Sequence, residues 1–217
     1  MEEIEIEGIK YNVELINEKD SNDIKTYKVI IIGKNGVGKS SITLKLMNKN
    51  IKTEPTLSVD IACFKIKVNE KIIKIQLWDS CGNEEFAKRT QNLFINTSLS
   101  LIVYAINDEE SFEAVKIWYN ILSNYNPNCL KYLIGNKGDL EKEREVQKEK
   151  GEKCKEDYDF NLFLETSAES GFNIKTLLKN IAVSIYQKEK NEEENMKNPQ
   201  KTMKLKLEKT RKKKRKC

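Results

Sequence analysis

Gly33-Lys34-Asn35-Gly36-Val37-Gly38-Lys39-Ser40 is the stretch that decides the fold. It follows an apolar run, Lys28-Val29-Ile30-Ile31-Ile32, and leads into Ile42, Leu44, Leu46 and Met47 at helical spacing. Strand, glycine loop, helix is the context in which G-x-x-x-x-G-K-S binds phosphate instead of making a plain glycine turn. Glycines let the backbone wrap close to an anion and turn successive N–H groups inward. The start of the following helix adds partial positive charge. On this reading Gly33, Asn35, Gly36, Val37, Gly38, Lys39, Ser40 and Ser41 surround a phosphate chain. Lys39 reaches its β- and γ-phosphates, and the Ser40 hydroxyl binds Mg²⁺.

Outward from this loop, 217 residues suit one domain with tails. The chain has no histidine, and its five cysteines (Cys63, Cys81, Cys129, Cys154, Cys217) form no C-x-x-C pair. This excludes the usual zinc sites, histidine acid–base chemistry and Ser-His-Asp triads. The acidic start, Met1-Glu2-Glu3-Ile4-Glu5, is unlike a secretory or mitochondrial leader, and no apolar run is long enough to span a membrane. A cytosolic protein with reduced thiols is expected. The net charge of +5 is unevenly placed: residues 201–217 hold ten Lys/Arg against Glu208, which leaves −4 for the rest. The basic character lives in the tail.

Along the chain, Ile9, Tyr11, Val13 and Leu15 alternate with polar residues, which fits either a half-buried strand or an unstructured arm. Strands are expected at Tyr27 to Ile32, Ile61 to Val68, Lys71 to Trp78, Leu99 to Ile106, Leu130 to Ile134 and Leu162 to Leu164. Asn69-Glu70 closes the second and third into an antiparallel hairpin. Helices are expected from the glycine loop to Met47, over Ser111 to Leu122, from Lys142 to Asp157, and along the stripe Leu177, Leu178, Ile181, Ile185. The alternation predicts an α/β fold: a mostly parallel six-stranded sheet, one antiparallel edge hairpin, and helices on both faces. Ligands of such sheets sit at the carboxyl ends of the strands. Residues 188–200 have almost nothing to bury and read as a disordered linker.

Three further motifs follow strands. In Trp78-Asp79-Ser80-Cys81-Gly82, the aspartate suits a Mg²⁺-bound water opposite Ser40, and Gly82 suits an N–H bond to a terminal phosphate. In Asn136-Lys137-Gly138-Asp139, a carboxylate can accept from both the ring N–H and the exocyclic amine of guanine; adenine would leave it without donors. The Lys137 stem can lie along the base. In Glu165-Thr166-Ser167-Ala168, the Ala168 N–H can meet the guanine oxygen.

In this order and spacing the motifs resemble the small GTPases of the Ras superfamily, and among them the Rab family. The Rab-like stretches are Thr56-Leu57-Ser58-Val59-Asp60-Ile61, Lys74-Ile75-Gln76-Leu77-Trp78-Asp79, Leu101-Ile102-Val103-Tyr104, Glu110-Ser111-Phe112 and Trp118. The resemblance covers about Tyr27 to Gln187. It implies a P-loop GTPase domain at 27–187, with an N-terminal extension at 1–26 and a linker and basic tail at 188–217. It implies GTP and GDP with Mg²⁺ as cofactors, Ser40, Thr56 and Asp79 around the metal, and Asn136, Lys137, Asp139, Ser167 and Ala168 around the base. Lys39, Thr56, Gly82 and Asn83 take the catalytic positions, and Thr56 and Gly82 sense the γ-phosphate. The implied partners are an exchange factor, a GTPase-activating protein, effectors, a GDP-dissociation inhibitor and a membrane. A monomer on the cytoplasmic face of an intracellular membrane, serving vesicle traffic without nucleic acid, is the expectation.

The sequence departs from that family in four places. Asn83 stands where the family has a Gln that orients the attacking water, so hydrolysis is expected to be slow, or absent if the chain is a nucleotide-binding scaffold. Asn35 replaces a small residue of the phosphate loop. The loop from Ser40 to Thr56 is short and lacks the aromatic that packs beside guanine, so fast nucleotide release is expected. Glu84-Glu85-Phe86-Ala87 and Leu93-Phe94-Ile95-Asn96 match the second switch region only in part. The tail ends in one cysteine, Cys217, after Arg211-Lys212-Lys213-Lys214-Arg215-Lys216. A single prenyl chain anchors marginally, and a basic cluster supplies a second signal. A nuclear or nucleic-acid patch and a merely solvated tail remain the other readings of the same residues.

Overall fold

The structure is a computed structural model that describes residues 2–6, 8–16, 24–51, 56, 58–89 and 91–197. It contains one eight-stranded sheet. The strands are β1 (Glu2–Ile6), β2 (Ile9–Ile16), β3 (Thr26–Ile32), β4 (Val59–Val68), β5 (Lys71–Ser80), β6 (Thr97–Ala105), β7 (Leu130–Asn136) and β8 (Leu162–Glu165), in the spatial order β1-β2-β4-β5-β3-β6-β7-β8. β5, β3, β6, β7 and β8 run parallel, while β1, β2, β4 and β5 pair antiparallel. The mostly parallel α/β fold therefore stands, but the expected six strands become eight. The alternation at Ile9 to Leu15 is a true strand, and β1 folds back on it to form a hairpin that joins the sheet beside β4.

β3 shows why the sheet needs helices on both sides. Val29 and Ile31 enter one buried cluster with Ile42 and Leu46 of α1 (Lys39–Leu46) and Leu177 and Ile181 of α6 (Ile174–Lys197). Ile30 and Ile32 enter the other, with Ala87 of α2 (Glu84–Arg89) and Val115 and Trp118 of α4 (Val115–Tyr125). Four successive apolar residues leave neither face of this part of the strand for solvent. The helix expected over Ser111 to Leu122 is two: α3 (Glu109–Glu113), capped by the Asp108 carboxylate accepting from Ser111 N, and then α4. The charged helix starts late, as α5 (Lys148–Asp157), after a 3₁₀ turn at Glu141–Glu143.

Residues 188–197, read from composition as linker, are the last turns of α6. Their partners are tertiary. Glu189 is buried, with its carboxylate 2.9 Å from the Lys71 ammonium and 3.9 Å from that of Lys25. Glu193 meets Lys71 at 2.8 Å, and Glu192 meets Lys25 at 3.5 Å. Burial, with Glu189 alongside, holds the Tyr27 hydroxyl well above its ordinary pKa, so it stays neutral. Upstream on α6, Tyr186 packs edge-on against Tyr11, and Gln187 Nε2 donates to the Tyr11 hydroxyl at 2.9 Å. The hairpin and the last helix thus hold each other. Residues 198–200 and the basic tail with Cys217 lie outside the described residues.

Removing the Glu189 carboxylate tests this latch. Because both lysines are partly exposed, Glu189→Ala is expected to cost only about 1–2 kcal/mol in urea unfolding. Amides in 188–197 should exchange on the order of tenfold faster. Unchanged protection there would mean that the helix end holds itself without the ion pairs.

Candidate functional site

The carboxyl ends of β3, β5, β7 and β8 bring the motif residues together. After β3 the chain turns through Gly33 (φ 143°), Gly36 (φ 82°) and Gly38 (φ 90°) into α1. A Cβ on Gly33 would collide with the Val103 carbonyl of neighbouring β6, so glycine is needed there for approach as well as for conformation. α1 starts without a side-chain cap and without an acid in its first turn, which leaves its N-terminal donors for an external acceptor. Val37 is fully buried, Ser41 half-buried and Asn35 exposed.

Lys39 is 5% exposed. Its ammonium donates to the carbonyls of Gly33 and Lys34, each at 3.0 Å. Burial pushes its pKa down to about 8, against the opposing pull of Asp79. The unfolded chain holds this proton more tightly than the folded one. The charged lysine therefore destabilises the ligand-free fold below about pH 8, and that penalty fades as the pH rises toward the unfolded value. An anion beside it removes the penalty at neutral pH. A phosphate fits this position.

Next to the lysine, three oxygens converge. Ser40 Oγ lies 2.8 Å from Thr56 Oγ1, which lies 3.5 Å from Asp79 Oδ2. Asp79 is buried, and its other oxygen, Oδ1, has no hydrogen-bond partner among the described residues. Burial raises its pKa, countered by Ser40, Lys39 and Thr56. Two hydroxyls and a buried, under-satisfied carboxylate form a hard-oxygen donor set of the kind Mg²⁺ takes. Gly82 closes this side at φ 78°: a Cβ there would lie 2.5 Å from the Lys39 ammonium and 2.8 Å from Asn35 N. Asn83 is exposed, and its carbonyl accepts from Ala87 N at the start of α2.

At the other end, Asn136 joins three segments. Its amide Nδ2 donates to the Val37 carbonyl at 2.9 Å, and its Oδ1 accepts from Thr166 Oγ1 and Ala168 N, both at 3.2 Å. Lys137 follows in the left-handed region (φ 66°), which turns the chain sharply out of β7. Gly138 N donates to Thr166 O at 2.9 Å. Ser167 and Ala168 are buried, and the Ser167 hydroxyl bonds an Asp139 carboxylate oxygen. Asp139 itself is exposed.

Several supporting residues carry no sequence signal. Arg144 grips Glu165 with both ends of its guanidinium, at 2.7 and 3.0 Å, and Glu141 at 2.8 and 2.6 Å. This braces the strand end that delivers Thr166 to Ala168. Thr166, inside the motif Glu165 to Ala168, donates its hydroxyl to Asn136 Oδ1. Beyond α2, Lys28 sits 3.9 Å over the Trp78 ring and donates to the carbonyls of Asn92 and Ile95, while Asn126 donates to those of Phe94 and Thr97. The segment after Gly82 therefore ends on fixed ground.

The model of the Ras family matches residues 28–187. The chain belongs to the Ras family. As a Ras-family domain it is a GTP-binding switch of the GTPase class; such domains bind guanine nucleotide, typically with Mg²⁺, and work through regulators and effectors. In this Ras-family chain, the phosphate loop and the two base-side motifs are tied by one buried amide.

Asn136→Ala should show how much that tie matters. It leaves the Val37 carbonyl, the Thr166 hydroxyl and the Ala168 N–H without their partner. We expect stability to fall by about 2–4 kcal/mol and GDP to dissociate on the order of ten to a hundred times faster. Stopped-flow release of a fluorescent GDP analogue reads the second effect; an unchanged rate would show that the loops are positioned without it.

Proposed function

We propose that this Ras-family protein is a Rab-like switch of intracellular membrane traffic, peripheral on the cytoplasmic face of a membrane. The observation that carries the switch reading is the contact of Thr56 with Ser40 and Asp79. Thr56 comes from the connection between α1 and β4, so a ligand that engages Ser40 and Asp79 engages that connection through Thr56 as well. Gly33, Asn35 to Ser41, Thr56 and Gly82 hold the phosphates; Ser40, Thr56 and Asp79 hold Mg²⁺. Asn136, Lys137, Asp139, Ser167 and Ala168 hold guanine. The ion, when bound, screens the phosphate charge. Thr56 and Gly82 offer backbone N–H groups to the terminal phosphate, and their loops relax when those groups lose that acceptor. The Rab-like stretches at 56–61, 74–79 and 101–104, together with the basic tail ending in Cys217, support the membrane-traffic assignment. An exchange factor, a GTPase-activating protein, effectors and a GDP-dissociation inhibitor complete the cycle.

Asn83 favours slow turnover, and with it the second reading of a nucleotide-binding scaffold that rarely hydrolyses. Its amide is one methylene short of where a glutamine would hold water. Asn83→Gln is therefore expected to raise single-turnover GTP hydrolysis by about tenfold or more. No change would mean that another feature limits the rate.

Cys217 is assigned to prenylation, with Arg211 to Lys216 as the electrostatic second signal at about 1 kcal/mol per basic residue. In fractionated cells Cys217→Ser is expected to move the protein from the membrane pellet to the supernatant. Unchanged pelleting removes the lipid from the proposal.

A further inference from the structure

The phosphate loop is gripped from outside at both ends. At its start, Gly33 lies against the Val103 carbonyl of β6. At its far side, the Val37 carbonyl accepts from Asn136 Nδ2 at 2.9 Å. Between these grips stands the tip: Lys34, Asn35 and Gly36. Gly36 has no side chain, and Asn35 is exposed. Among the described residues, Lys34 is the tip residue whose side chain is tied to another element.

Its ammonium lies 2.6 Å from Glu110 Oε2 and 3.7 Å from Asp108 Oδ1. Both acids belong to the start of α3, which Asp108 caps. That start is itself fixed. Ala105 N donates to Ser111 Oγ at 2.9 Å, Glu109 N donates to the Glu145 carboxylate at 2.9 Å, and the Lys150 ammonium meets Glu109 at 2.7 Å. The backbone of Lys34 faces the other way, into the site. Its carbonyl accepts from the Lys39 ammonium at 3.0 Å. One residue therefore joins α3 to the lysine assigned to the phosphates.

We propose that Lys34 is a positioning residue for nucleotide binding: its ion pair with Glu110, backed by Asp108, fixes the tip of the phosphate loop before a nucleotide arrives. Gly33, Gly36 and Gly38 all hold positive φ, a region that glycine enters at little cost and leaves as readily. Ordering such a loop draws on binding energy unless a contact outside the ligand has ordered it first. Lys34 supplies that contact where neither β6 nor Asn136 reaches. Two carboxylates already match its charge, so its contribution is shape. Glu110 is 82% exposed, which keeps the effect modest. The inference rests on the nucleotide reading of this loop, which GDP binding by the natural chain tests by itself.

Displacement of a fluorescent GDP analogue by GDP, measured on the full chain with Mg²⁺, tests the proposal. Lys34→Met and Glu110→Gln should each weaken GDP binding by about two- to fivefold. The double variant should be no weaker than either single one, because the two residues act as one pair. Lys34→Arg should stay near the natural value. Amides of residues 33–38 should exchange faster in both single variants, while those of β3 stay unchanged. Glu110→Gln is the deciding variant. If Lys34 acted through its own charge on the phosphates, releasing it from Glu110 would tighten GDP binding, and tighter binding overturns the proposal. Unchanged binding overturns it too, because the glycine loop would then hold its tip without α3. No GDP binding by the natural chain would overturn the nucleotide reading, and the inference with it.

Discussion

Burying one strand on both faces decides where this protein can bind a ligand. β3 is apolar at alternate positions in both directions, with Val29 and Ile31 on one side and Ile30 and Ile32 on the other. It therefore takes the middle of the sheet, between β5 and β6. The chain leaves it to build the antiparallel side first, β4 and β5, and then crosses to β6, β7 and β8. The carboxyl end of β3 is thus the point where the strand order reverses, and a crevice opens there because neighbouring connections diverge. The phosphate, metal and base motifs all follow strands at that end of the sheet.

Polar groups in this crevice are short of partners in a consistent way. Among the described residues, Lys39 donates only to carbonyl oxygens, and Asp79 Oδ1 has no donor. The base-side half differs. Asn136 uses both ends of its amide, and Arg144 is paired with two glutamates. The scaffold of the base site is complete without a ligand, whereas the phosphate and metal half is not. That asymmetry is what a guanine-nucleotide switch requires: one half fixes where the nucleotide lies, and the other changes with what the nucleotide carries.

The parts readable from sequence were those whose residues act locally. Gly33 to Ser40 is a contiguous loop whose spacing encodes its own shape. Asp79 to Gly82 and Asn136 to Asp139 each follow a buried strand, so their location was set by apolar runs. β1 was not readable, because Glu2 to Ile6 is a strand only when β2 is beside it. The end of α6 was misread for a related reason. Residues 188–197 bury little apolar surface, and their helix is held by Lys25 and Lys71, more than a hundred positions away in the chain. The Arg144–Glu165 pair is likewise invisible to spacing. Charge-rich sequence looks like linker until the opposite charges are found in space.

The added hairpin also shapes how β4 can move. β2 pairs with β4 only from Lys65 to Val68, at the end far from the nucleotide site. From Val59 to Phe64, β4 is held on one side by β5, and among the described residues no strand pairs with its other side. One end of β4 is therefore fixed by two neighbours, while the end that follows Thr56 rests on one. Ladder hydrogen bonds on both sides make a strand costly to displace, and bonds on one side allow its end to peel. The hairpin and α6, which lock each other through Tyr11, Tyr186 and Gln187, stiffen the far half of β4 and leave the near half free to follow the ligand. An extension that touches no nucleotide contact can in this way set where the ordered part of the sheet stops and the switch begins.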